Sequence, residues 1–258
     1  MKYIMRAAQK LQIENKTRNG ELDSKIILAS VLRCNATMAE ISRFEVNIFE
    51  ILGMRNLSAF VGEVFAAALS TESAGLLTKN PHQDGYPDLL LMDDAGKDEY
   101  ARLSKNLKDK SPFSPFVPGG IEIKASVGST PSPKVLAKKG LDKPSIGDQR
   151  IDLLNGYDWK AHHRETNNLL GILWDFIDEI PCVTAVFYSS DLEELDWGKI
   201  VQPKTGGGRT TSVSIMTKDG IGKMYDGWLC VADDVRYVDF INKRNKKSLI
   251  PRPKAQIS

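Results

Sequence analysis

Apolar positions recur at helical spacing in the first quarter of the chain, and the pattern changes after residue 75. Segments 3–15, 23–34, 37–52 and 57–70 carry apolar residues three or four apart, separated by polar or Gly-containing breaks such as NKTRNG, and are expected to be helices. Within 57–70, Leu57, Val61, Val64 and Ala68 share one face. Glu63 falls with Ala59, Ala66, Ala67 and Ser70, small residues suited to close packing on a sheet. Beyond residue 75, short apolar runs bounded by turn residues predict strands: PDLLLM (87–92), GIEIKAS (120–126), PCVTAVFYSS (181–190), TTSVSIMT (210–217) and GWLCVA (227–232). NNLLGILWDFID (167–178) is expected to be a helix feeding the next strand. Strands with an intervening helical crossover predict an α/β fold: a central mixed β-sheet flanked by helices, with an N-terminal helical region (1–56) packed on a core (57–242). The polar stretch 94–119 reads as an insertion between strands. It ends in SPFSPFVPGG, which cannot form a regular helix or a central strand. The tail, 243–258, holds six basic residues and no acidic one between Lys243 and Lys254, and is expected to be a partly disordered arm.

Composition narrows the function classes only a little. The 258 residues suffice for one large domain or two small ones. Thirty-five basic against 33 acidic residues leave a formal charge of +2, so any affinity for nucleic acid must come from local patches. Cys34, Cys182 and Cys230 are an odd set without metal-ligand spacing, which predicts a reducing compartment. No apolar run is expected to span a membrane, and the N-terminus lacks a signal-peptide core, so the expected location is cytoplasmic.

Chemistry concentrates in two neighbouring runs. In GGIEIKAS, read as a strand, Ile121, Ile123 and Ala125 face one way and Glu122, Lys124 and Ser126 the other. Charges on a face that should be dry need each other, a metal or a charged ligand. GYPDLLLM puts Asp88, preceded by Pro87, at the start of the preceding strand. Pro87-Asp88 with Glu122-Ile123-Lys124 resembles the PD-(D/E)xK nuclease superfamily, the fold of many type II restriction endonucleases. The E-x-K spacing alone is unspecific: Glu14–Lys16, Asp23–Lys25 and Asp158–Lys160 also fit the pattern. Asp158 is the rival because it too lies downstream of the single Pro-Asp pair, but its neighbours do not read as a buried strand.

The resemblance implies Asp88, Glu122 and the Ile123 carbonyl as Mg²⁺ ligands and Lys124 as the group assisting the attacking water. Glu63 is implied as an auxiliary acid, either supporting the site or holding a second metal. It also implies a homodimer cutting double-stranded DNA to 5′-phosphate and 3′-hydroxyl ends. For DNA contact the residues suggest Lys134, Lys138, Lys139, Lys143 and Arg150 as a phosphate track, with Gln149 on an expected following helix, where the resemblance implies a glutamine that supports the site. GYDWKAHHRETNN offers Lys160, His162, His163, Arg164, Asn167 and Asn168, whose types read base edges. Lys204 and Arg209 flank a Gly-rich loop that is either a groove reader or a plain hairpin connection. That loop lacks P-loop spacing, so no nucleotide cofactor is expected. The paired histidines lack partners at zinc spacing.

Overall fold

The computed structural model describes residues 1–14, 19–157, 159–161, 167–202, 212–245 and 247–253. In chain order its elements are β1 (Tyr3–Met5), β2 (Lys10–Glu14), β3 (Asn19–Asp23), α1 (Lys25–Ile41), α2 (Ile48–Glu72), β4 (Leu77–Lys79), β5 (Leu89–Leu91) and α3 (Asp94–Leu103). Then follow β6 (Gly120–Ser126), α4 (Pro133–Lys138), β7 (Lys160–Ala161), β8 (Leu169–Ile177), β9 (Ile180–Ser189), β10 (Ser214–Ile215), α5 (Lys218–Asp226), β11 (Trp228–Ala232) and α6 (Val235–Asn242).

Seven strands form one mixed sheet in the order β1-β11-β9-β8-β6-β5-β4. Only β6 and β8 pair in parallel, so the chain between them must cross back over the sheet. One face carries Ile121, Ile123, Leu170 and Ile172 into a core shared with α1, α2 and the β2–β3 hairpin. The opposite face carries Leu169, Leu173 and Phe187 against Trp159, α5 and α6. This is the expected α/β architecture, a mixed central sheet with helices on both faces.

Two expected helices are strands. Residues 3–15 hold β1 and β2, and in KLQIE only Leu11 and Ile13 are fully buried, a period of two that the longer window blurred. Residues 167–178 hold β8, whose first eight positions are all buried. A strand covered on both faces reads as a continuous apolar run, which periodicity cannot separate from a buried helix. The N-terminal region is therefore helical only from Lys25 onward.

Three smaller expectations also change. The expected helix 37–52 is split, its first residues closing α1 at Ile41 and its last opening α2 at Ile48, while 57–70 lies within α2, which is broken at Gly53, where φ is +62°. Contrary to the sequence reading, α2 has the length and mean hydropathy, 1.2, of a membrane span, yet it packs Leu57, Val61 and Phe65 into the core beside the sheet. The described part of the basic tail is docked: Ile250 is buried, and the Trp228 indole N–H donates to the Ser248 carbonyl.

Candidate active site

The short strand β5 and the glycine-led strand β6 bring the predicted residues together. Leu89 pairs with Ile121 and Leu90 with Gly120, so Asp88 stands opposite Glu122, one step beyond the last pair. Opposed residues of an antiparallel pair share a face, and Lys124 lies on that face two residues on. Gly120 permits this approach, because a Cβ there would sit 1.9 Å from the Leu89 carbonyl oxygen. Asn80 fixes the entry to β5: its side-chain amide donates to the carbonyls of Pro87 and Phe113, both at 3.0 Å, and its N–H donates to the Asp88 carbonyl.

The three charged groups interlock. The Lys124 ammonium donates to Glu122 Oε1 at 2.5 Å and lies 3.9 Å from Asp88 Oδ2. Asp88 Oδ2 accepts from the Ile123 N–H at 2.8 Å, and the Asp88 N–H donates to Glu122 Oε2 at 3.2 Å. Burial first, and then the Glu122 charge, push the Asp88 carboxyl up to about 7, against the pull of Lys124 and the Ile123 N–H. For Lys124, burial pulls downward, but the charges of Glu122 and Asp88 outweigh it and the net shift is upward. The amine is therefore a firmly held ammonium.

The group lies in a cleft of about 1050 Å³, one side of which is α2, through Ser58, Ala59, Gly62, Glu63 and Ala66. Glu63 lines the same cleft, and its charge acts on both Asp88 and Lys124. Its carboxylate pairs with Lys79 at 2.5 Å, both side chains about half exposed.

The donor set suits one hard divalent cation. Two facing carboxylates with a single ammonium beside them leave the site with more acid than base. Mg²⁺ takes few protein oxygens and keeps several waters. The N–H and C=O of one strand residue leave on the same edge, so the Ile123 carbonyl is directed to the side where its N–H meets Asp88. Among the described residues no three His, Cys, Asp or Glu side chains form a ligand cluster, which a site of two carboxylates and one carbonyl does not require.

Most predicted DNA contacts lie away from this cleft. Lys134, Lys138, Lys139 and Lys143 are exposed on and after α4, but none lines the cleft. Arg150 is buried, its guanidinium donating to the Ser145 carbonyl at 2.8 Å and its N–H to Asp175. Gln149 precedes a short turn rather than lying on a helix, and its amide donates to the Tyr237 hydroxyl. Asn168 is buried and clasps Glu14 of β2 through its N–H and carbonyl, and Asn167 also donates to that carbonyl, at 3.4 Å. These two asparagines hold the hairpin to β8. Lys160 is exposed on β7, outside the cleft. His162, His163, Arg164, Lys204, Arg209 and the rival Asp158 lie outside the described residues.

Lys79, His82 and Lys110 line the cleft and were not singled out from sequence. The stretch NPHQDGYPD before Asp88 carries a positional signal, because a loop feeding a catalytic strand borders its site. Lys110 carries none, since only the folding of the 94–119 segment brings it there.

Comparison with protein families, with curated proteins and with solved structures finds no match.

Proposed function

We propose that the chain is a Mg²⁺-dependent, sequence-specific endonuclease of double-stranded DNA, of the type II restriction kind, leaving 5′-phosphate and 3′-hydroxyl ends. The observation that carries this reading is the convergence of Asp88, at the entry to β5, with Glu122 and Lys124 of β6, distant from it in sequence, on one face at the end of a single strand pair within a cleft. Asp88, Glu122 and the Ile123 carbonyl would hold the metal. When bound, Mg²⁺ polarises a phosphodiester and lowers the pKa of a coordinated water.

The chain's own residues do the rest. Lys124, a protonated donor beside both carboxylates, orients the attacking water and offsets the negative charge gathering on phosphorus. The water oxygen bonds to phosphorus as the bond to O3′ breaks. The water gives up a proton to solvent and O3′ gains one. Asp88, oriented by the Ile123 N–H, would offer an oxygen to the metal, and Glu63 would serve as an auxiliary acid once Lys79 releases it. A homodimer on a two-fold site and a cytoplasmic location are part of the same proposal.

The test is digestion of long duplex DNA with Mg²⁺ and with EDTA, beside Lys124→Ala. Discrete fragments that need Mg²⁺, and a rate roughly 10²–10⁴-fold lower in the variant, are expected. A smear would point to a nuclease without a fixed site. Intact DNA under every condition would overturn the catalytic reading.

A further inference from the structure

The segment 94–119 is more than a spacer between β5 and β6. It has its own small core, in which Phe113 and Phe116 stack with centroids 6.2 Å apart, Tyr100 packs edge-on to Phe113, and Leu90 of β5 lies beneath. That core is tied to the loop before Asp88. The Tyr86 N–H donates to the Phe113 carbonyl, the Phe116 N–H donates to the Tyr86 carbonyl, and Asn80 reaches both Pro87 and Phe113. Gly85 lies so close that a Cβ would meet the Asn80 amide at 2.4 Å. Loop and insertion are thus one rigid body, and that body forms the cleft wall carrying His82, Asp84, Lys110 and Ser114.

We infer that this body is a second jaw for the DNA backbone, with Lys110 on the jaw and Lys79 at the α2 side each neutralising a phosphate next to the one held at Lys124. The inference rests on the nuclease reading for its substrate. Three observations support it. Lys79, Lys110 and Lys124 are the lysines lining the cleft, whereas the exposed lysines of 134–143 lie off it. Among the described residues Lys110 and Lys79 pair with exposed carboxylates, Asp84 at 3.5 Å and Glu63 at 2.5 Å, partners that a phosphate can replace at small cost. The His82 ring packs on Phe113 at 5.3 Å, and its Nε2 is buried without a hydrogen-bond partner, so the jaw retains an unmet polar atom beside the cleft.

The test is the affinity for a short fluorescent duplex across a salt titration in EDTA, which prevents metal-dependent cutting. Each phosphate contact contributes about −0.9 to the slope of log K against log salt. Lys110→Ala and Lys79→Ala are each expected to flatten the slope by about 0.9, with Lys110→Arg restoring it. The joint alanine variant of Lys134, Lys138, Lys139 and Lys143 is expected to change it less than either. An unchanged slope in both single variants, or a larger effect from the 134–143 set, overturns the jaw. Cutting by the wild type with Mg²⁺ is scored separately. Cutting with unchanged slopes sinks the jaw alone, and flattened slopes without cutting sink the nuclease reading alone.

Discussion

Asp88 is the residue on which the site's charge balance turns. An isolated Asp titrates near 3.9, but burial and the adjacent Glu122 push this one up to about 7. Between those values the folded, metal-free protein binds more protons here than the unfolded chain does. Its contribution to stability is therefore greatest at low pH and is lost as pH rises towards 7. Asp88→Asn removes the ionisation while keeping a side-chain oxygen to accept the Ile123 N–H. In the absence of metal the variant is expected to melt above the wild type at pH 8 and level with it near pH 4. The gap would be about 2–4 °C for each kcal/mol relieved. Melting curves with a constant offset at every pH would show that the carboxyl is not strained by its surroundings.

At the scale of elements, the site depends on how closely two short strands approach. The three-residue β5 keeps Asp88 opposite Glu122 only because Gly120 leaves room for the Leu89 carbonyl. Gly120→Ala is expected to spread the two strands, cost about 1–3 kcal/mol as an overpacked contact does, and abolish Mg²⁺-dependent cutting. Circular dichroism should change little, since Gly120 pairs with β5 and precedes the β6–β8 register, which begins at Glu122. Activity retained at wild-type level would remove the argument from strand spacing. The same scale shows what was legible in the sequence. The pattern of GIEIKAS alternates and is bounded by glycines, and its strand coincides with β6 residue for residue. Asp88, Glu122 and Lys124 could be singled out because their chemistry and their alternation agree. β8 was not legible, because LLGILWDF is buried on both faces and carries no period. Asn168 and Arg150 misled for a related reason: polar types that read bases also serve as buried clasps, and one chain does not say which. Lys110 was invisible, since its position depends on Phe113 and Phe116 finding Leu90 across the insertion.

For the molecule as a whole, charge sets how tightly the proposed duplex is held in the cleft. A net charge of +2 spread over 258 residues supplies little steering towards a polyanion. At pH 8, where Asp88 is ionised, the cleft is worse than neutral: among the described residues it is lined by the carboxylates of Glu63, Asp84, Asp88 and Glu122 and the ammonium groups of Lys79, Lys110 and Lys124. Duplex DNA brings one negative charge per about 1.7 Å. The groups at the cleft floor lie well inside a Debye length of roughly 8 Å, so salt does not hide the excess acid. A divalent cation held by Asp88 and Glu122, as proposed, would reverse the sign of the cleft. Replacing EDTA by Ca²⁺, which shares the preference of Mg²⁺ for oxygen ligands, is therefore expected to raise affinity for a short duplex by about tenfold, or roughly 1.4 kcal/mol. Asp88→Asn removes one repelling charge and one ligand together. Its affinity in EDTA should exceed that of the wild type, while its response to Ca²⁺ shrinks. Affinities that are equal with and without Ca²⁺ in the wild type would mean that the duplex does not approach this floor at all. The lysines of 134–143 would then be the place to look for its path.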